Sequence, residues 1–383
     1  MAHERKRPLG WARAWTAAIA VSLVGLAASA PGALALPGDF WGVSPQNPPS
    51  VEQFQRLRAG GVDSVRIPIS WAATQPLGGA EANFAGPDHL IAGATAAGLN
   101  VLPFVYDAPA WAVVPARVPG PGQARAPKTL PVKTGAQRAS WANFVKLVVA
   151  RYGPAGSFWA ANPALSESPI RTWQIWNEEN FKYFVVRPSP ADYGKLVNVS
   201  YAAIKSVDPG AKLILGGMFA QPNEATFKVK PPQAYFATDF LDQLYETTPG
   251  IKHKFSGVAL HPYTSRYQKL TPDIEEFRAI LALNHDAGKR LWITEIGWSS
   301  EPLDPVHDAF AKGPGGQATQ LRGAFKLFKQ KQAKWKLQRI YWFSVDDQAG
   351  SCNFCGGSGL FGEGFAPKKS WFEYVKFAGG QPG

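Results

Sequence analysis

Two short apolar runs in this chain end in carboxylates. Thr172-Trp-Gln-Ile-Trp runs directly into Asn177-Glu178-Glu179-Asn180, and Leu291-Trp-Ile-Thr leads into Glu295-Ile-Gly-Trp298. A core strand has no structural need for ionisable groups at its end, because a charge loses its hydration there unless it is paired. Two carboxyl groups brought to one place, one protonated and one ionised, meet the requirement for cleaving a glycosidic bond: one protonates the departing oxygen while the other attacks the anomeric carbon or activates a water. Their separation selects the route. About 5 to 5.5 Å gives direct attack and retention, whereas about 6.5 to 9.5 Å admits a water and gives inversion. The sequence leaves that choice to the fold.

What must position the pair is a repeating frame. Short strand-like runs fall at Asp39 to Val43, Ser64 to Ile69, Val101 to Tyr106, Thr172 to Trp176, Lys212 to Leu215, Gly257 to His261, Leu291 to Glu295 and Ile340 to Ser344. Helical stretches lie between them, among them Ser50 to Ala59, Gln137 to Tyr152, Ala191 to Val207, Thr271 to Ala287 and Gly316 to Trp335. Thr271 with Pro272 is expected to open one helix, and Pro190 to open another where a missing N–H costs nothing. Strand alternating with helix points to a parallel sheet, and about eight such repeats close most economically as an α/β (β/α)8 TIM barrel of about 250 residues. The additional residues fall in Gly-, Pro- and Ala-rich connections after strands: Ala72 to Pro87, Asp107 to Gly135, Met218 to Gln233 and Asp346 to Lys369. In a single barrel domain over residues 36–383 these long loops load the C-terminal face, where such folds keep their sites. Glu178 and Glu295 end the fourth and seventh strands and therefore meet at that face.

The chain has 383 residues, of which 45% are hydrophobic and 13% aromatic, ample for a packed core. Residues 1–35 read as a secretory signal: Arg5, Lys6, Arg7 and Arg13, then an uncharged run from Thr16 to Ala30, then Ala33-Leu34-Ala35 before the cut. The run is short for a bilayer span, so an uncleaved anchor is the lesser alternative. Either way the domain is expected outside the cytoplasm. There Cys352 and Cys355, the only two cysteines, are expected to form a disulfide staple, and the neighbourhood lacks two further ligands for zinc. The formal net charge of +12 falls to about +9 without the leader. Lys326, Lys329, Lys331, Lys334 and Lys336 read as a solvated helix face. No recognition motif accompanies the charge, so nucleic acid is not expected as a partner, although a basic surface suits loose association with an anionic cell-surface polymer. A monomer without metal or cofactor is expected.

The motifs Trp176-Asn177-Glu178 on the fourth strand and Thr294-Glu295-Ile-Gly-Trp298 on the seventh resemble the signatures of glycoside hydrolase clan A. Arg66 in Ser-Val-Arg-Ile-Pro, His261-Pro-Tyr263 after strand six and Trp342 in Tyr-Trp-Phe-Ser on strand eight stand where that clan would place them. Within the clan the chain looks most similar to family 39, with family 5 second. It departs by carrying Glu179 where many members have Pro, and the accessory β-domain common in family 39 is not expected within residues 36–383. The resemblance implies a retaining O-glycosyl hydrolase acting on an oligo- or polysaccharide. In it Glu178 is general acid/base, Glu295 nucleophile and Asn177 the donor to the sugar 2-hydroxyl. Arg66 and Tyr263 would hold Glu295 ionised, His261 would sit near both carboxylates, and Trp342 would be a platform under the reactive sugar. Trp298, with Trp71, Trp111, Phe181 and Tyr183, is a candidate stacking face, and Glu179 reads as an exposed or helix-capping acid. Walls built from the long loops favour endo cleavage. A barrel that binds carbohydrate without cleaving it, and a transglycosylase using the same site, are the alternatives.

Overall fold

The computed structural model describes residues 36–113, 128–221, 230–305, 307–347 and 355–383. Within these residues eight strands form a closed, all-parallel barrel in sequential order. They are β1 (Trp41–Val43), β2 (Ser64–Ser70), β3 (Asn100–Tyr106), β4 (Thr172–Ile175), β5 (Lys212–Phe219), β6 (Gly257–His261), β7 (Arg290–Ile296) and β8 (Leu337–Trp342). Every run expected to be a strand is one, so the TIM-barrel expectation holds.

Each strand is followed by a helix of nine residues or more: α1 (Val51–Ala59), α2 (Ala85–Ala96), α3 (Gly135–Tyr152), α4 (Pro190–Val207), α5 (Ala237–Thr247), α6 (Leu270–Leu283), α7 (Gly313–Trp335) and α8 (Lys369–Ala378). Ser50 and Thr134 start α1 and α3 as capping boxes, with Gln53 and Gln137 reaching back, and Ser189 caps α4 with Pro190 at its first turn. Thr271 does not open α6. That helix continues out of a short 3-10 turn at Tyr267–Lys269 and begins at Leu270 without a side-chain cap. The lysine-rich stretch of α7 is a solvated face, with Lys326, Lys329 and Lys334 exposed and Lys334 paired to Glu275 at 2.6 Å.

Side chains alternate along a strand, so residues two apart share a face. Leu102, Ile214, Ala259, Trp292 and Tyr341 form a separate apolar cluster inside the barrel. The next interior level toward the C-terminal end holds Phe104, Gly217, His261, Thr294 and, just past β8, Phe343, the β5 position being displaced by one residue where its pairing with β6 slips between Ile214 and Gly217. An apolar floor therefore lies beneath a level at which His261 and Thr294 introduce polar groups, joined there by Arg66 and Gln174. The larger core packs the outer faces of the strands against the helices. The leader expected at residues 1–35 and Cys352 of the expected staple lie outside the described residues. Cys355 is buried.

Candidate active site

Arg66 organises the polar layer from β2. Its side chain is 1% exposed, and a guanidinium so buried must spend its donors on the protein. Nε donates to Gln174 Oε1 at 2.7 Å, Nη1 to Glu295 Oε1 at 2.6 Å and to Ser44 Oγ at 3.4 Å, and Nη2 to Asn177 Oδ1 at 2.5 Å. Its Cζ lies 3.9 Å from the centre of the Phe104 ring. Because Asn177 accepts through its oxygen, its amide nitrogen is the group left to donate.

Glu178 reaches the site through a sharp turn. β4 stops at Ile175, and Trp176 (φ 73°) and Glu178 (φ 42°) both take left-handed backbone, a conformation that costs a non-glycine residue energy and is held here by its surroundings. The Glu178 N–H donates to the Gly217 carbonyl at 3.1 Å. Asn180 fixes the far end of the turn, accepting from Phe219 N–H and donating to the carbonyls of Phe219 and Tyr235. On β7 the pairing to β8 slips between Ile293 and Ile296, and Glu295 sits in that irregular stretch, aimed at Arg66 and Tyr263.

The two carboxyl groups share His261. Its Nδ1 lies 2.8 Å from Glu178 Oε1 and 3.6 Å from Glu295 Oε2, and its Nε2 lies 2.9 Å from Thr294 Oγ1. An oxygen of Glu178, one of Glu295 and the His261 nitrogen all fall within 4.8 Å of one another. The Tyr263 hydroxyl donates to Glu295 Oε2 at 3.0 Å. The Glu178 and Glu295 side chains keep 11% and 12% of their surface exposed, whereas His261 keeps none, so the two carboxyls are the reachable members of the cluster.

Their surroundings divide their proton affinities. Burial and the neighbouring Glu295 charge push Glu178 well above the usual carboxylate range, against the opposing pull of Arg66 and Lys128. Glu295 was expected to be held down, but burial outweighs its partners and raises it too. Arg66 and the Tyr263 hydroxyl pull it back, so it remains the stronger acid of the two. Burial and Arg66 push His261 well below its usual value, which leaves it neutral. Of the two carboxyls Glu178 therefore holds its proton the more tightly and Glu295 gives its proton up first, beside a neutral imidazole and the positive charge of Arg66.

Arg66, Asn177, Glu178, His261, Tyr263 and Glu295 thus come together as the motifs implied. The two tryptophans do not. Trp342 is fully buried, its ring against Phe325 of α7 and Trp298 and its Nε1 bonded to the Ser358 carbonyl. Alternation explains the correction: Tyr341 faces the barrel interior, Trp342 the helices, and Phe343 returns to the site edge-on to Tyr263 at 6.5 Å. Trp298 is likewise buried, donating to the Thr264 carbonyl at 2.7 Å. Trp71 is core as well, whereas Trp111 (39%) and Tyr183 (58%) are exposed. Rings connect Tyr183 through Phe181 and Phe219 to Tyr263, with centroid spacings of 4.8, 5.4 and 5.8 Å. Glu179 is not an exposed acid but fully buried. Gln174 and Thr294 went unread as site residues, although a polar residue inside an apolar strand, in phase with the interior, is their signal.

No family model matches the chain. It is 30% identical over 159 residues to a beta-xylosidase of Geobacillus stearothermophilus, a match spanning 36% of this chain and 29% of that enzyme. Among solved structures it is similar to a family 39 glycoside hydrolase from the gut symbiont Bacteroides cellulosilyticus, with a TM-score of 0.62, 20% identity, and 90% of this chain against 64% of that one. A monomeric beta-xylosidase from Caulobacter crescentus superposes with a TM-score of 0.61 at 18% identity, covering 89% of this chain and 68% of that one. A family 5 glycoside hydrolase of subfamily 18 from Bifidobacterium longum, solved with Manβ1-4GlcNAc, gives a TM-score of 0.55 at 13% identity, covering 86% and 72%. The barrel is therefore similar to those of glycoside hydrolases of families 39 and 5, as the resemblance of its motifs implied.

Proposed function

We propose that this protein is a retaining glycoside hydrolase that cleaves β-glycosidic bonds in an oligo- or polysaccharide by double displacement, with Glu295 as nucleophile and Glu178 as general acid/base. The observation that carries the reading is the approach of a Glu178 oxygen and a Glu295 oxygen to within 4.8 Å, on the side of the about 5 to 5.5 Å that suits direct attack and short of the about 6.5 to 9.5 Å of the inverting arrangement. In the first step Glu295 attacks the anomeric carbon while Glu178 gives its proton to the leaving oxygen. The nucleophile's charge then disappears into the covalent bond, which removes the repulsion that kept Glu178 protonated. Glu178 becomes the base that takes a proton from the attacking water, and the carboxylate of Glu295 leaves. Asn177, turned by Arg66, donates to the 2-hydroxyl, where hydrogen bonds strengthen as charge develops.

Long connections after β2 and β3, with exposed Trp111 and Tyr183 on that face, support endo cleavage of a polymer. The basic, uncharged and small-residue segments of residues 1–35 support export of the domain. The test is turnover of aryl β-glycosides and of plant and bacterial polysaccharides by the purified protein beside Glu295→Ala. The expected result is a loss of about 1,000-fold or more in the variant, with product from the parent protein keeping its anomeric configuration. Sugar bound without turnover favours a binding barrel, and sugar-to-sugar transfer favours a transglycosylase.

A further inference from the structure

Glu179 follows the acid/base in the chain and touches none of the reacting atoms, yet it lies inside the barrel wall. It is fully buried, and neither carboxyl oxygen has a hydrogen-bond partner. Such a group costs stability unless something is gained from it. It occupies space left open by Gly216 of β5, which sits where the pairing of that strand with β6 slips: a methyl group at position 216 would stand 1.9 Å from Oε2 and 2.7 Å from Cδ. The Tyr193 hydroxyl is nearby but already committed, donating to the Ile175 carbonyl at 2.9 Å and accepting from the Gly216 N–H at 2.7 Å.

We propose that Glu179 is a positioning residue for catalysis, a second buried carboxyl seated on Gly216 whose charge, once formed, holds the proton on Glu178 and extends acid catalysis to higher pH. This rests on the hydrolase reading of the same site. The groups facing the two carboxyls are Arg66 from β2, Lys128 before α3, Tyr193 from α4, His261 from β6, Tyr263 beyond it and Glu295 from β7. Burial pushes Glu179 up to about 8, while its own backbone N–H, the Tyr193 hydroxyl and Arg66 favour the charge without reaching bonding geometry. Glu179 in turn raises Glu178. Each therefore makes the other's ionisation harder.

Infrared titration of neutral carboxyl groups in the intact protein tests this without any substrate, with Glu178 assigned by difference against Glu178→Gln. In Glu179→Gln the Glu178 proton is expected to leave at a pH lower by about 0.5 unit or more. The alkaline limb of kcat/KM should move down by the same amount on a glycoside with a poor leaving group. Coupling is reciprocal, so in Glu178→Gln the Glu179 proton should also leave earlier, a second reading that survives if Glu179→Gln does not fold. Unmoved titrations in both variants would overturn the proposal and leave Glu179 as a space filler. A protein that turns over no glycoside but shows the shift refutes the hydrolase reading alone.

Discussion

Tyr263 donates its hydroxyl to Glu295 Oε2 at 3.0 Å, on the oxygen opposite the one Arg66 holds at 2.6 Å. The carboxylate is thus fixed in plane and both its oxygens are engaged before any sugar arrives. Tyr263→Phe removes one hydrogen bond to the charged form, a loss of about 1.5 to 3 kcal/mol. It should lower kcat/KM by about 10- to 100-fold. Since the bond favours the ionised state, its loss raises the Glu295 proton affinity further, so the acid limb of the pH profile should move to higher pH. An unmoved acid limb would show that Tyr263 only packs.

Arg66→Lys tests the fork geometry rather than the charge. A lysine ammonium keeps the positive charge but cannot span Gln174, Glu295 and Asn177 together. The variant should lose about 100-fold or more in kcat/KM and about 3 kcal/mol in stability, because buried partners are left unpaired. Urea unfolding beside initial rates checks both. Activity within a few-fold of the parent would refute the assignment.

Glu179 also makes a prediction about stability. Its folded-state value of about 8 stands above the ordinary 4.5, so the folded protein binds this proton more tightly than the unfolded chain. Stability from this group is fully present below about 4.5, declines as pH rises through the interval, and is gone above about 8. Glu179→Gln removes that dependence. Its Tm relative to the parent should therefore be higher at pH 9 than at pH 4, and a difference independent of pH would count against a buried carboxyl here.

Trp342→Leu should cost about 3 to 5 kcal/mol, as for other large-to-small core changes, with KM nearly unchanged in whatever protein remains folded. Trp111→Ala and Tyr183→Ala should leave stability within about 1 kcal/mol and raise KM for long oligosaccharides more than for aryl glycosides. Equal effects on short and long substrates would remove the stacking role of the two exposed rings.

The barrel was legible because each strand is short, apolar and ends in polar or aromatic residues, and the two carboxylates were legible because they interrupt that pattern. Side-chain direction was not. Trp342 and Phe343 are both aromatic, and only the phase set by Tyr341 in the interior tells which one faces the site. The burial of Glu179 depends on Gly216, a contact between the turn after β4 and the strand β5 that leaves no local trace. α2 and α5 were unread because both start at Phe residues, Phe84 and Phe236, with no side-chain cap to announce them.

Arg66 ties the residue after β1, the middle of β4, the turn beyond it and the end of β7 into one knot. Those points come from distant parts of the chain and meet only when the ring of strands is complete. Turnover is then a reporter of ring closure. Any partly assembled barrel, on the ribosome or during heating, is silent, and heat inactivation should coincide with the loss of sheet structure instead of preceding it.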